Sequence, residues 1–204
     1  MATMEGLIRK QGGATVGGGA ATFTSESALR VGDAIGRYVQ NVKEGGVFIG
    51  GNLFGTPVTT QAGLSATTPA LTLHNPITGG VRVYLLMVGY AFAAAPAAAA
   101  SVCLARNLAA AAAPTLTTLA DVTVAKFGPL TSPVAQCARV ATLAAAPLGI
   151  FNLGGTTGAA AIGGYPSLFD LGGIIALDPG VCISIQTSSA ASLTATFVWY
   201  EETI

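Results

Sequence analysis

A chain of 204 residues has room for one β domain with an arm, or for two small domains. Charged residues make up only 9% of it, against roughly 25% in an average soluble domain, and the excess is in Ala and Gly. The nine acidic and nine basic residues balance, so no net field exists that would attract nucleic acid or an anionic membrane. The three cysteines are far apart and form no C-x-x-C spacing, which argues against a disulfide framework or a zinc site and favours a reducing cytosol.

The charged residues are concentrated towards the N-terminus. Nine of the eighteen lie in the first 44 positions, which also hold the glycine-rich stretch 12–19. Closely spaced glycines lose much backbone entropy on ordering, so residues 1–44 are predicted to form an extended arm. Residues 45–204 are predicted to form one domain that packs against copies of itself or against a partner, because so little charge opposes association.

Short β runs separated by turn residues follow the glycine-rich stretch. The first two, 37–43 and 47–49, flank Glu44-Gly45-Gly46. The other candidate strands are 71–73, 81–92, 101–106, 122–127, 134–142, 148–152, 173–177, 181–187 and 193–201. This spacing, without an amphipathic helix after residue 45, predicts an all-β fold: an antiparallel β-sandwich (jelly roll) of about 8–10 strands, preceded by the extended N-terminal arm.

The most regular part of the chain is its last strand pair. A turn at Asp178-Pro179-Gly180 precedes it, since Pro presets φ and Gly admits positive φ. Alternation in the final run puts two sets of side chains on opposite faces of a sheet. The set predicted to face the core is Leu193, Phe197 and Trp199. The set predicted to contact a neighbouring chain is Thr194, Thr196, Val198 and Tyr200.

One uncharged stretch, 83–105, has the length of a membrane-spanning helix and is flanked by Arg82 and Arg106. Pro96 and Gly89 interrupt it, however, and its first part alternates in a way that suits a strand buried on both faces. A buried strand followed by an Ala-Pro loop is therefore the favoured interpretation. No membrane partner is predicted.

Residues that could carry chemistry are few. His74 is the only histidine and lies at a strand end that enters a turn, with no G-x-S-x-G motif in the chain. Glu201 and Glu202 are adjacent in a strand and so point to opposite faces, which is unsuitable for a paired acid/base site. The stretch 12–18 has the glycine spacing of a phosphate loop but lacks its lysine. No catalytic residue, cofactor, metal or nucleic-acid partner is predicted.

Two segments carry a family resemblance. Residues 73–83 (LHNPITGGVRV) lead into a long apolar strand, and residues 177–181 (LDPGV) lead into a strand, a Ser-rich loop and the ending Trp199-Tyr200-Glu201-Glu202. This pattern resembles tailed-bacteriophage virion proteins, namely jelly-roll capsid decoration (cement) or head-fibre proteins with a tumour-necrosis-factor-like strand order. The resemblance implies a homotrimer on the outer surface of the virion capsid, made in the host cytoplasm, whose partner is the major capsid protein.

On this basis the chain is predicted to be a structural protein, not an enzyme, that clamps neighbouring capsid subunits. The arm residues predicted to contact the capsid are Arg9, Lys10, Arg30, Arg37 and Tyr38. Two alternatives stay open. One is a head-fibre or tail-tip module that recognises a host surface through the loops near 93–100 and 154–164. The other is a hydrolase or isomerase that acts through His74.

Overall fold

The computed structural model of the chain describes residues 22–23, 29–30, 38–43, 45–52, 56–107, 114–116, 122–127, 132–139, 141–157 and 167–204. The chain divides into two compact units, Met1–Gln40 and Asn41–Ile204. In the first unit, β1 (Thr22–Phe23) pairs antiparallel with β2 (Leu29–Arg30). The second unit contains the β-sandwich.

A short helix, α1 (Val39–Lys43), lies where the sequence predicted a strand over 37–43, so that prediction was wrong. The backbone N–H of Gly45 donates to the carbonyl of Val42 at 3.0 Å, and that of Gly46 donates to the carbonyl of Asn41 at 3.3 Å. Gly45 has a φ of 77°, the left-handed conformation that commonly ends a helix and that glycine adopts without strain. Two glycines thus stabilise and end a single helical turn.

Thirteen strands lie in the described part of the second unit. They are β3 (Val47–Asn52), β4 (Val58–Thr59), β5 (Thr72–His74), β6 (Val81–Phe92), β7 (Ala100–Arg106), β8 (Thr115–Leu116), β9 (Val122–Lys126), β10 (Gln136–Ala138), β11 (Ala141–Thr142), β12 (Leu148–Thr156), β13 (Ser167–Leu177), β14 (Cys182–Thr187) and β15 (Ser192–Thr203).

Most of these strands form two antiparallel sheets. The six-stranded sheet has the order β13-β6-β15-β3-β9, with β4 pairing the start of β15, and the five-stranded sheet has the order β10-β5-β14-β7-β12. When the eight main strands are numbered along the chain (β3, β5, β6, β7, β12, β13, β14, β15), the sheets read 1-8-3-6 and 2-7-4-5. That order is two interleaved Greek keys, the jelly roll. The predicted all-β antiparallel sandwich is confirmed.

The core lies between the two sheets. Trp199, Phe197 and Leu193 are each fully buried, so the prediction that this set of β15 faces the core is confirmed. The rings of Phe48 and Trp199 lie 5.9 Å apart between centroids. From the five-stranded sheet the fully buried side chains include Leu73, Val102, Leu104, Ile183 and Ile185. The interior is therefore built from the alternating positions of both sheets, as a sandwich requires.

The turn before β14 forms where the sequence predicted it. Gly180 has a φ of 86°, and the N–H of Val181 donates to the carbonyl of Asp178 at 3.1 Å. The buried side chain of Asn75 reinforces this end of the sandwich, because its Nδ2 donates to the carbonyls of Val81 at 2.8 Å and Leu177 at 2.9 Å. One amide thus joins the start of β6 to the end of β13, directly before the turn.

Several strand boundaries differ from the predicted ones. The run 134–142, predicted as one strand, divides into β10 and β11, which belong to different sheets. β12 continues to Thr156, into the stretch 154–164 that was predicted to be a loop. β13 begins at Ser167, before the start that was predicted at residue 173. β13 accommodates Gly172 and Gly173 in an irregularity of its pairing with β6, where both glycines have positive φ. A local bulge admits such residues without ending the strand.

Candidate interaction surfaces

The outer face of the six-stranded sheet is the side that points away from the core. The residues of β15 predicted to contact a neighbour, Thr194, Thr196, Val198 and Tyr200, all lie on it and are all half-buried. Val198 lies opposite Met87 of β6 and Ile49 of β3. Thr196 lies opposite a glycine on each side, Gly89 and Gly51. The centre of the face is consequently flat, made of small and apolar side chains.

Charged groups on this side of the sheet lie towards its edges and pair locally. Arg82 Nε donates to Asp178 Oδ1 at 2.8 Å in an exposed ion pair. Tyr84 Oη donates to Glu202 Oε2 at 2.8 Å, and the ring of Tyr84 stacks on that of Tyr200. The middle of the face, from Val198 to its neighbours on β6 and β3, carries no charge among the described residues.

The β13 edge of the same sheet exposes large apolar side chains. Leu168, which pairs with Gly89, is 66% exposed, and Ile174 is 77% exposed. Asp170 lies between them, opposite Met87. The edge of the outer face therefore carries two exposed apolar side chains with a carboxylate between them.

The arm residues that were predicted to contact a capsid belong to the first unit. Arg9, Lys10 and Arg37 lie outside the described residues. Arg30 is in β2, and Tyr38 is a half-buried turn residue directly before α1. The prediction that these five contact a capsid stays a prediction.

Glu201 has a structural role that its sequence position did not indicate. Its carboxylate accepts hydrogen bonds from the backbone N–H groups of Val134 at 2.9 Å and Ala135 at 3.0 Å, and from Trp199 Nε1 at 2.9 Å. Glu202, its neighbour, bonds Tyr84 on the outer face instead. The two carboxylates point away from each other, as predicted, and Glu201 is a half-buried anchor for the segment before β10.

His74 is buried, with 4% of its surface exposed. Burial lowers its pKa from the usual value, since desolvation disfavours the charged ring, while a hydrogen bond with the side chain of Gln136 raises it by less. Its Nδ1 has no hydrogen-bond partner in the described part of the chain. A ring in this position is shielded from any reactant in solution.

The three cysteines are free thiols, and burial raises the pKa of each above its usual value. Cys137 and Cys182 are buried, whereas Cys103 is half-buried. Thiols with a raised pKa are poor nucleophiles at neutral pH. These positions are consistent with packing.

Beside β12, on the outer side of the five-stranded sheet, lies a groove of about 440 Å³. Sequence reasoning did not find it. Its lining residues are Gly63, Leu64, Ser101, Cys103, Gly149, Ile150, Phe151, Asn152, Thr187 and Ser188. None of them is charged. The groove forms because the segment before β5 crosses the sheet, held by a hydrogen bond from Gly63 N–H to the Thr187 carbonyl at 2.8 Å.

Two further observations bear on the predicted function. In the described residues no three side chains of His, Cys, Asp or Glu come close enough to hold a metal ion. The uncharged stretch 83–105 forms most of β6 and β7 with a loop between them, and no helix in the part of the chain that the structure describes could span a membrane.

Comparison with protein-family models, with curated proteins and with solved structures found no match to this chain.

Proposed function

We propose that the chain is a structural virion protein: a capsid decoration (cement) protein that binds the outside of a phage head as a homotrimer and stabilises contacts between major capsid subunits. The observation that carries the proposal is the outer face of the six-stranded sheet. Its centre, around Val198, is flat, uncharged and only half-buried, and the β13 edge beside it exposes Leu168 and Ile174 on either side of Asp170. Exposed apolar side chains grouped in this way are typical of protein–protein contacts.

A closed ring of three copies needs a heterologous contact, in which one patch of a subunit meets a different patch of the next. The outer face supplies a flat patch, and the β13 edge with Leu168 and Ile174 supplies a protruding one. We assign the trimer contact to these two patches. The glycines that flank Thr196 leave the flat patch without side chains that would hold a neighbour away.

A permanent trimer would have to bury a large contact area. Interfaces of obligate oligomers bury on the order of 2,000 Å² or more. At about 25 cal/mol per Å² of apolar area, the gross gain is tens of kcal/mol before the entropy of association is subtracted. A face with its ion pairs at the edges avoids the desolvation of charge that would offset this gain.

The mass of the purified full-length protein in solution tests the oligomeric state. We expect a trimer by light scattering and native mass spectrometry. Val198→Lys and Leu168→Lys, one in each patch, should shift the mass towards monomer, whereas Ile77→Lys, at a turn residue that is 65% exposed, should leave the trimer intact. A clean wild-type monomer would contradict the proposal.

Capsid binding is tested separately. The wild-type protein should co-sediment with expanded phage heads that lack their decoration, and should raise the temperature at which those heads open. Immunogold labelling should place it over the head surface. Labelling confined to the tail tip would support the alternative of a tail-tip module. The alternative of a hydrolase or isomerase predicts that His74→Ala abolishes any enzymatic activity that the chain has.

A further inference from the structure

The free edge of the five-stranded sheet carries a second candidate surface, separate from the outer face of the six-stranded sheet. β12 is the last strand in the order β10-β5-β14-β7-β12, so one row of its backbone N–H and C=O groups has no strand partner among the described residues. Natural proteins usually protect such edges with charged residues, proline or β-bulges. β12 (Leu148–Thr156) contains no charged residue and no proline, but it has two bulges.

Two bulges determine what β12 exposes. In its pairing with β7, Ile150 and Leu153 have no partner, because the register skips between Gly149 and Phe151 and between Asn152 and Gly154. Leu153 turns into the core, where its carbonyl accepts a hydrogen bond from Tyr90 Oη at 3.2 Å. Ile150 and Phe151 stay outside, 40% and 38% exposed. Bulges at sheet edges commonly re-aim side chains in this way.

The groove follows this edge. Four consecutive residues of β12, 149–152, line one side of it, and Ser101 and Cys103 of β7 and Thr187 of β14 also line it, so it lies on the face of the sheet beside the edge strand. Leu64, 44% exposed, forms the opposite wall. A Cβ on Gly149 would lie 3.7 Å from the Leu64 side chain and 3.8 Å from Cys103 Sγ, so the missing side chain of Gly149 leaves part of this volume open.

Size and chemistry restrict the occupant. About 440 Å³ is enough for at least one large side chain, and the absence of charge in the lining disfavours anions and cations. The unpaired backbone beside the groove is complementary to an extended peptide, which can add a strand to an open edge while its alternate side chains enter pockets. A free apolar small molecule would use the groove but not the backbone edge.

We propose that β12 and its groove bind an extended, uncharged peptide segment of a partner protein by strand addition, with a leucine-sized or aromatic side chain of that segment in the groove. This inference goes beyond capsid decoration and does not depend on it. The three residues that determine it are Gly149, which opens the groove, Ile150, which the bulge turns outward, and Leu64, which forms the opposite wall.

The test uses the full-length protein and capped heptapeptides Thr-Val-Thr-X-Thr-Val-Thr, with X as Phe, Leu, Ala or Asp. In amide NMR titrations we expect the Phe and Leu peptides to bind at least about 10-fold more tightly than the Ala peptide, and the Asp peptide not to bind. Amides of 148–152 should become protected from hydrogen exchange on binding. Benzyl alcohol, added alone as an apolar probe, should give no such protection.

Two variants locate the site. Gly149→Val puts a branched side chain into the groove, where the atoms nearest its Cβ are the Leu64 side chain and Cys103 Sγ. Ile150→Asp places a charge at the edge. Each variant should bind the Phe peptide at least about 10-fold more weakly than the wild-type protein does. Val124→Asp, at a residue of similar exposure on the edge strand β9, is the matched control and should bind normally. The proposal is overturned if none of the four peptides binds, or if binding leaves the β12 amides unprotected. It is also overturned if Ile150→Asp abolishes self-association instead.

Discussion

Replacing Glu201 tests whether one carboxylate holds the last strand to the segment before β10. In the structure it accepts three hydrogen bonds, two from the backbone of Val134 and Ala135 and one from the indole of Trp199. Trp199 is fully buried, and Ala135 is 3% exposed. In Glu201→Ala all three donors lose their acceptor at once, and two of them have little access to water.

The expected loss of stability follows from these contacts. A hydrogen bond to a charged group contributes about 1.5–3 kcal/mol, and such bonds at one carboxylate are not additive. We expect Glu201→Ala to lower the free energy of unfolding by about 3–5 kcal/mol, and Glu201→Gln, which keeps one acceptor oxygen, by roughly half of that. Glu202→Ala is the matched control, because it removes only the exposed bond from Tyr84 and should cost less than about 1 kcal/mol.

Urea unfolding followed by tryptophan fluorescence measures all three variants. The chain has a single tryptophan, so the signal reports on the ring that Glu201 contacts. With an m-value of about 2–3 kcal/mol/M, the Glu201→Ala midpoint should fall by about 1–2 M. Equal midpoints for Glu201→Ala and Glu202→Ala would refute the reasoning, because the three bonds would then contribute nothing beyond an exposed contact.

Three further predictions concern stability. Burial lowers the pKa of His74, so the ring binds a proton more tightly in the unfolded chain than in the folded one. The urea midpoint should therefore fall as the pH drops below about 6.5, the usual pKa of histidine, and it should fall less in His74→Gln. Gly50→Ala should lower the free energy of unfolding by about 1–3 kcal/mol, and with it the melting temperature, because its Cβ would lie 3.0 Å from Cys137 Sγ. Gly149→Ala should leave the melting temperature unchanged, because the nearest atoms to its Cβ are 3.7 Å away or more. Asn75→Ala should cost about 2–3 kcal/mol and Asn75→Asp more, since a carboxylate would face two buried carbonyls.

The parts of the fold that could be predicted from the sequence are those determined by local alternation. In β15 the period of two separates Trp199 from Val198 without any knowledge of the neighbouring strands, and burial follows that separation. The turn before β14 was equally local, because Pro179 presets its own φ and Gly180 admits the positive φ that the turn needs. The order of the strands was expected only from the resemblance to jelly-roll proteins, not from the alternation itself.

The parts that could not be predicted depend on distant or irregular contacts. Glu201 bonds donors 66 and 67 residues away, which no pattern in its own strand reveals. The groove exists because Ile150 is bulged outward and because Leu64, far along the chain, crosses over Gly149. α1 is a single turn whose end depends on Gly45 adopting a positive φ, and its five residues are too few for a helical pattern to show in the sequence.

The sparse charge of the second unit has a structural explanation in the contacts made by individual residues. Glu201 is committed to the segment before β10, and Arg82 is committed to Asp178. Charges engaged in this way do little to keep two copies apart, so the outer face around Val198 meets no strong repulsion from an identical molecule. The groove beside β12 is equally uncharged but concave, and the β12 edge, unpaired among the described residues, suits the extended partner proposed above. The two proposed contacts, one between copies of the chain and one with a second chain, therefore use different sheets of the jelly roll.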